Sequence, residues 1–163
     1  MAEQPNKPKS KVYIETTIVS YLTAWPSRDV VRLSHQMITR EWWEIERPNF
    51  DVFTSELVIK EVSAGDPTAA SERLMALSGI PLLAITPDGL DLAERLAAAL
   101  SLPDRARADA AHVAIAAING IEFLLTWNCK HLANGILLPK IEQTCMAHGF
   151  QPPRILTPEQ LTE

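Results

Sequence analysis

Short apolar runs alternate with longer amphipathic segments along almost the whole chain. The runs KVYIE (11–15), FDVFT (50–54), IPLLAI (80–85) and IEFLLT (121–126) are rich in β-branched or aliphatic residues, as buried strands are, and RILT (154–157) is a shorter candidate. Segments with helical periodicity and capping residues fill the intervals between them. Because strands and helices alternate, the pattern predicts an α/β fold: a three-layer α/β/α sandwich with a mostly parallel central sheet.

The predicted helices have recognisable start and stop residues. Thr16 and Thr17 are expected to cap a short helix that ends at Pro26. The longest predicted helix carries an apolar stripe that places Trp42 in the core and leaves the adjacent Trp43 partly exposed. Helices are expected over residues 29–46, 55–65, 66–79, 88–100 and 104–119, through part of the 130s, and over residues 139–148.

Composition and charge narrow the class of protein. With 163 residues, 47% of them hydrophobic, we expect a disordered tail over residues 1–10 and a single domain over residues 11–163. There is no secretory signal, no apolar run of membrane-spanning length and no disulfide framework, which predicts a cytoplasmic protein without a membrane partner. A net charge of −5 excludes a general nucleic-acid coat protein but is compatible with a local cluster of cations around an acidic pocket.

Acidic residues stand at positions where an α/β fold binds its ligands. Glu15 ends the first strand, and Glu61 lies in the inward apolar stripe of the helix over residues 55–65. Asp109 shares a face with Val113 in an alanine-rich helix, more than a turn inside it, whereas the neighbouring His112 is interpreted as a structural core residue. A buried carboxylate loses hydration unless positive charge compensates it. Each acid also has a simpler explanation. Glu15 could lie in a solvated turn, Glu61 could reach water from a helix that packs shallowly, and Asp109 could interact with the helix dipole.

The stretch FLLTWNCKHLANG (123–135) turns from apolar to polar at the end of the fourth predicted strand. Thr126 and Asn128 follow that strand, at the sheet edge where Glu15, Glu61 and Asp109 are also expected. Carboxylates that meet in one place repel one another unless they are protonated or bridged by a metal ion, and oxygen ligands favour Mg²⁺ or Mn²⁺. The sequence therefore predicts a divalent-metal site at this edge.

Two other interpretations of the same stretch use its cysteine. Cys129 and His131 could pair with Cys145 and His148 as zinc ligands, but the first spacing is too tight and no glycine shapes either turn. A Cys129 nucleophile would need a histidine base and an orienting group, which the sequence does not place. Both interpretations are weaker than the oxygen-ligand site.

Four segments in order, YIETT, SELVIKEVSAG, ARADAAHVAIAA and FLLTWN, resemble the PIN-domain family, especially the VapC-like toxin ribonucleases of type II toxin–antitoxin systems. The resemblance covers residues 11–157 and implies a metal-dependent endoribonuclease with a PIN-like sandwich. It assigns the catalytic and Mg²⁺- or Mn²⁺-binding places to Glu15, Glu61, Asp109 and Asn128, with Thr17 and Thr126 as supporting hydroxyls.

The chain departs from the family pattern at two of these places. The family usually carries Asp at the first and fourth places, where this chain has Glu15 and Asn128, so the site has three carboxylates instead of four. This change keeps open an alternative function, a PIN-like nucleic-acid- or protein-binding module with a weakened site that does not cleave. A metal-dependent phosphatase on another α/β scaffold is a third interpretation, but it normally needs a nucleophilic Asp at position 15.

The resemblance also implies partners. His131 and Asn134 would support the rim of the site, and RNA phosphates would contact the cations nearest to it: Arg105, Arg107 and Lys130. A small antitoxin protein is the expected partner, with Trp43 on a surface suited to a helix bound in a groove, and a homodimer is the expected assembly.

Overall fold

The computed structural model describes residues 6–163 and contains one five-stranded sheet. Its strands are β1 (Lys11–Ile14), β2 (Asp51–Ser55), β3 (Leu82–Leu83), β4 (Phe123–Leu125) and β5 (Arg154–Leu156). Every pairing between neighbouring strands is parallel, and the strand order is β3-β2-β1-β4-β5. The predicted α/β fold is confirmed, and all five predicted strands form, the third of them over two residues only.

Seven α-helices surround the sheet in the described part of the chain: α1 (Thr16–Thr23), α2 (Val30–Glu41), α3 (Glu56–Val62), α4 (Pro67–Ala76), α5 (Pro87–Ala99), α6 (Arg107–Ile118) and α7 (Leu138–Ala147). Polar side chains that accept a backbone N–H begin several of them. Asp29, Ser55, Asp66 and Thr86 do so for α2, α3, α4 and α5.

Two hydrophobic cores lie on opposite faces of the sheet, which makes the fold a three-layer sandwich. Along β1, Tyr13 enters one core, whereas Val12 and Ile14 enter the other, because successive side chains of a strand point to opposite faces. The larger core includes residues of α3, α5, α6 and α7, and the smaller one includes Trp42 and Trp127. Both faces are therefore covered, as a parallel sheet requires.

The chain leaves β1 and β4 in opposite directions. From β1 it passes to β2 on one side, and from β4 it passes to β5 on the other, although β1 and β4 are neighbours. Beyond the carboxyl ends of two such strands the connections separate and leave a crevice, where open α/β folds bind their ligands. Glu15 and Thr126 are the first residues after these two strands.

The predicted helix over residues 29–46 is not a regular α-helix in its last five residues. It is regular up to Glu41, and Trp42–Glu46 form a π-helical turn that wraps an extra residue. The apolar stripe predicted for this helix runs from Val31 to Ile45. Ile45, in the π-helical turn, is 61% exposed, and Val31 is 64% exposed, so neither end of the stripe is in the core. The two tryptophans behave as predicted, with Trp42 buried and Trp43 half-buried.

Three local predictions are corrected. Glu15, not a threonine, caps α1, because its longer side chain folds back to accept the N–H of Thr17. Residues 104–106 form a 3-10 turn, so α6 begins at Arg107 and Asp109 lies in its first turn, where the helix dipole favours a carboxylate. The 130s contain turns until α7 begins at Leu138.

The structure describes only the second half of the predicted tail over residues 1–10. Residues 1–5 of the predicted tail lie outside the described residues. Residues 6–10 form no helix or strand, although Lys9 donates a hydrogen bond to the carbonyl of Pro48 and the carbonyl of Ser10 accepts one from Asp51. Across residues 6–163, no helix combines the length and apolar character needed to span a bilayer.

Candidate active site

Glu15 is the most buried of the three predicted acids, with 4% of its surface exposed. Its Oε2 accepts hydrogen bonds from the backbone N–H of Thr17, from the Thr17 hydroxyl and, at 2.7 Å, from the Thr126 hydroxyl. Thr126 follows β4, so this contact ties the ends of the two strands together. Within residues 6–163, Oε1 of Glu15 makes no hydrogen bond, which leaves one carboxylate oxygen available for a further ligand.

Glu61 reaches the same edge from α3. Its Oε1 accepts a hydrogen bond from the Thr16 hydroxyl at 2.7 Å and lies 2.6 Å from Nε2 of His112. The side chain of Glu61 is 31% exposed, whereas that of His112 is 1% exposed. Glu61 therefore stands at the boundary between solvent and the buried imidazole, in the inward stripe where the sequence predicts it.

His112 is the centre of the hydrogen-bond network. Its Nδ1 lies 2.7 Å from the Tyr13 hydroxyl, which in turn lies 2.7 Å from the Ser55 hydroxyl. The imidazole therefore joins the middle of β1 and the end of β2 to Glu61 on α3. When both ring nitrogens carry protons, one N–H donates to Glu61 and the other to Tyr13.

The acids keep His112 charged despite its burial. Burial alone lowers the pKa of His112, but the hydrogen bond to Glu61 and the negative charges of Glu15, Glu61 and Asp109 outweigh it, and the pKa is raised. Burial likewise raises the pKa of Glu61, yet the hydrogen bond and charge of His112 and the bond from Thr16 reverse this, and the pKa is lowered. Imidazolium and carboxylate thus stabilise each other in the folded protein.

Asp109 is paired with a second histidine. Its Oδ2 lies 2.8 Å from Nδ1 of His131, and both side chains are 19% exposed. The backbone N–H of His131 donates to Oδ1 of Asn128 at 3.0 Å, and the backbone N–H of Asn128 donates to the Thr126 hydroxyl at 2.9 Å. One chain of hydrogen bonds therefore leads from Asp109 to Thr126, and from there to Glu15.

The three predicted acids thus come together from three separate elements. Glu15, Glu61 and Asp109 all act electrostatically on the His112 ring, from the end of β1, from α3 and from α6 respectively. Asn128 and His131 join the same edge through the hydrogen bonds that follow β4. These groups lie around the imidazole of His112 at the carboxyl edge of the sheet.

Asn134 and the predicted RNA-binding cations lie around this network rather than in it. Asn134 shapes the loop after β4, because its amide donates to the carbonyls of Cys129 and Lys130 and its Oδ1 accepts the N–H of Ile136. Three cations are exposed to solvent: Arg105, Arg107 and Lys130. Arg107 makes a loose pair with the exposed Asp104 at 3.8 Å.

The donors present suit a hard divalent ion, whereas their spacing in this arrangement does not. Glu15, Glu61 and Asp109 each keep one carboxylate oxygen free of hydrogen bonds among residues 6–163, which is the donor type that Mg²⁺ and Mn²⁺ prefer. In the same residues, no three His, Cys, Asp or Glu side chains are grouped closely enough to hold one ion. Glu61 and Asp109 each lie against a histidine instead, His112 and His131 respectively.

Sequence reasoning missed the role of His112. The signal that could have found it is its spacing, because His112 follows Asp109 by three residues and therefore lies on the same side of an alanine-rich helix. Tyr13 and Ser55 were also missed, since a tyrosine inside an apolar strand looks like ordinary core. Their partners come from residues 42 and 99 positions away, which no local pattern reveals.

The cysteine-based interpretations gain no support from the geometry. Cys145 is buried in the larger core, and Nδ1 of His148 bonds to the carbonyl of Thr144 in its own helix. Cys129 is exposed, but partial burial and the charge of Glu159 raise its pKa, which opposes the thiolate that a nucleophile needs.

Comparisons of the chain with protein-family models and with curated proteins find no match. Any functional assignment therefore depends on the arrangement of Glu15, Glu61, Asp109 and His112 at the carboxyl edge of the sheet, together with the sequence resemblance described above.

Proposed function

We propose that this protein is an endoribonuclease that hydrolyses RNA phosphodiester bonds with the help of Mg²⁺ or Mn²⁺. The observation that carries the proposal is that Glu15, Glu61 and Asp109 all lie near one buried imidazole. They do so at the edge of the sheet where the connections after β1 and β4 leave in opposite directions. Acids from three elements are costly to bring together, because each must be compensated. A cluster of acids with this free-energy cost is typical of a functional site.

The metal-binding residues in this proposal are Glu15, Glu61 and Asp109, through their free oxygens, with the amide of Asn128 assisting. To hold one ion, the three carboxylates would have to come closer together than they are in this structure. A divalent ion bound there would polarise a phosphodiester and lower the pKa of an attacking water molecule. Thr17 and Thr126 hold one oxygen of Glu15 in place, so that the other oxygen keeps a defined position. This support from both strand ends makes Glu15 a fixed point of the site.

The charge distribution supports an anionic substrate held from the rim. Arg105 and Arg107 precede Asp109 in the chain, Lys130 follows Asn128, and all three cations are exposed to solvent. A local cationic border can bind phosphates although the whole chain carries a net charge of −5.

A role as the toxin of a toxin–antitoxin pair, in the cytoplasm and as a homodimer, belongs to the same proposal and derives from the PIN-domain resemblance. A protein partner is also supported by exposed apolar residues on α2, where Val30, Val31 and Met37 are 79%, 64% and 61% exposed. A small antitoxin that covers such a helix would bury this apolar surface.

The direct test compares two Asp→Asn variants in an RNA cleavage assay with Mn²⁺. Asp109→Asn should lower the cleavage rate at least about a hundredfold, as the loss of an electrostatic group at a reacting centre usually does. Asp104→Asn is the matched control. It removes the same charge five residues before Asp109, and the side chain of Asp104 is 99% exposed. Cleavage by Asp109→Asn at the wild-type rate would refute the assignment.

A binding module that does not cleave is the second candidate, and one observation favours it. His112 lies 2.6 Å from Glu61 and His131 lies 2.8 Å from Asp109, so two of the three acids have a partner without a metal ion. Calorimetric titration with Mn²⁺ separates the candidates: a nuclease should bind the ion in wild type and lose binding in Asp109→Asn. RNA binding without cleavage, together with no carboxylate-dependent Mn²⁺ binding, would favour the module.

A further inference from the structure

Trp25 is the most exposed large apolar side chain of the described residues, at 89%, yet its backbone is firmly held. Gln36, which is buried, donates from Nε2 to the carbonyl of Trp25 and accepts the N–H of Ser27 with Oε1. Arg40 donates to the carbonyl of Ala24 at 2.8 Å. Two side chains of α2 thus fix the turn after α1, so the indole is presented to solvent by a well-supported loop. An aromatic face exposed in this way is available for a ligand to stack on.

The indole follows the end of α1, the helix that begins beside the acidic site. Thr17, which bonds to Glu15, is four residues before Tyr21, so the two share a face of α1 and are separated by about 6 Å along its axis. The ring of Tyr21 also lies 6.2 Å from that of Trp127, the residue before Asn128. The surface that carries Tyr21 therefore adjoins the site from both α1 and the segment after β4.

Two cavities flank the indole, and their charges differ. A cavity of about 440 Å³ is lined by Tyr21, Trp25 and neutral polar residues, and its only charged lining residue is Arg32. Another cavity of about 270 Å³ is lined by Asp66 and Glu72, with an arginine already bonded to backbone carbonyls. An anionic ligand that stacks on Trp25 is therefore favoured on the Arg32 side.

Arg32 has donors to offer. Its guanidinium makes no hydrogen bond or ion pair with any of residues 6–163, whereas its backbone N–H caps the helix by donating to Asp29. The carboxylate of Asp29 offsets part of the charge of Arg32. Stacking should therefore contribute more to affinity than the phosphate contact.

We propose that this cavity, beside the acidic site, binds a nucleobase of single-stranded RNA. The base stacks on Trp25 beside Tyr21, and Arg32 contacts a neighbouring phosphate. The size, the aromatic wall and the free guanidinium match a nucleotide, whereas a duplex could not insert a base that is already stacked. This inference rests on the proposed function for its ligand, but it assigns residues and a specificity for unpaired RNA to a surface outside the acidic network.

The test is equilibrium binding of hexaadenylate in EDTA, where no metal-dependent cleavage takes place. Tryptophan fluorescence of wild type should be quenched when a base stacks on Trp25. The signal reports on Trp25, because Trp42 and Trp127 are buried and Trp43 is covered by Arg47. Trp25→Ala should weaken binding about tenfold to a hundredfold, since stacking of one base contributes about 1–3 kcal/mol. Trp25→Phe should abolish the quenching yet bind within about threefold of wild type, because phenylalanine still offers a stacking face.

The contribution of Arg32 is read from salt dependence. Arg32→Ala should reduce the slope of log affinity against log salt concentration by about one, as the loss of one phosphate contact does. Arg95→Ala removes an equal charge from α5 and Leu90→Ala removes an exposed apolar side chain from α5, so both should bind as wild type does.

The inference and the proposed function fail in different ways. Wild type that does not bind hexaadenylate, or Trp25→Ala that binds as tightly as Leu90→Ala, would overturn the inference while leaving metal-dependent cleavage intact. Equal binding of a duplex with the same dependence on Trp25 would overturn it too. Binding that depends on Trp25 in a protein that shows no cleavage with Mn²⁺ would support the inference and refute the nuclease.

Discussion

The charge of the buried His112 can be measured through the stability of the protein. We consider His112→Gln, which keeps much of the side-chain volume and an amide but removes the titrating group. In the folded protein His112 bonds to Glu61 at 2.6 Å and to Tyr13 at 2.7 Å. Tyr13 keeps its bond to Ser55 in the variant, and Glu61 keeps its bond from Thr16, so no partner is left unpaired.

The sign of the pH dependence follows from the two shifted groups. The pKa of His112 is raised above 6.5, so its contribution to the free energy of unfolding is complete below pH 6.5 and is lost as the pH rises through the folded-state value. The pKa of Glu61 is lowered below 4.5, so its contribution is complete above pH 4.5 and is lost as the pH falls through its folded-state value. The pair therefore stabilises the fold fully between pH 4.5 and 6.5.

The magnitude follows from the kind of hydrogen bond that is lost. At pH 6, where the pair is charged, His112→Gln should lower the free energy of unfolding by about 2 kcal/mol, since hydrogen bonds to charged groups contribute about 1.5–3 kcal/mol. At a pH above the raised pKa the imidazole is neutral, and the loss should fall to about 1 kcal/mol or less.

Urea denaturation in EDTA at several pH values between 5 and 10 measures this difference. Ile115→Ala, at a buried position of the same helix, is the control: it should cost about 2–5 kcal/mol at every pH, because it creates a cavity without removing a charge. If the cost of His112→Gln were equally independent of pH, the imidazole would not be a buried cation and our account of the site would be wrong.

Two further substitutions test how the site and the layer beneath it are held. Thr126→Val keeps the shape of a fully buried side chain but removes its 2.7 Å hydrogen bond to Glu15. In urea titrations it should lower the free energy of unfolding by about 1.5–3 kcal/mol. No change would mean that Thr17 alone holds the carboxylate. Trp42→Phe removes the indole N–H that donates to the carbonyl of Leu161 at 2.8 Å, and it leaves a small void. Thermal denaturation should show that the free energy of unfolding falls by about 1–3 kcal/mol. An unchanged midpoint would mean that this hydrogen bond between the end of α2 and the C-terminal segment does not stabilise the fold.

Glu15 and Asn128 each make contacts that explain their place at this edge of the sheet. Glu15 uses its extra methylene to cap its own helix through Thr17, a contact that positions one oxygen and frees the other. Asn128 uses its Oδ1 to accept the N–H of His131, which holds His131 against Asp109. Both residues therefore organise the acidic edge as well as standing in it.

The sequence by itself determined the strands, most of the helices and the parallel α/β fold. These features depend on side-chain periodicity and on capping residues such as Ser55 and Asp66, which act over a few positions of the chain. The same local logic placed Glu15 and Thr126 at strand ends and Glu61 in an inward stripe. Where the backbone itself changed pitch, as in the π turn at Trp42, the periodicity no longer held.

Only the tertiary structure decided which groups compensate the acids. The imidazole of His112 lies between Tyr13 and Glu61, 99 and 51 positions away in the chain, so its charge state depends on contacts that no sequence window contains. The sequence predicted acids at this edge of the sheet, and the folded chain places a histidine against two of them. The physical reason is that electrostatic compensation depends on distance in space, and the packing of α3 and α6 against the sheet sets that distance.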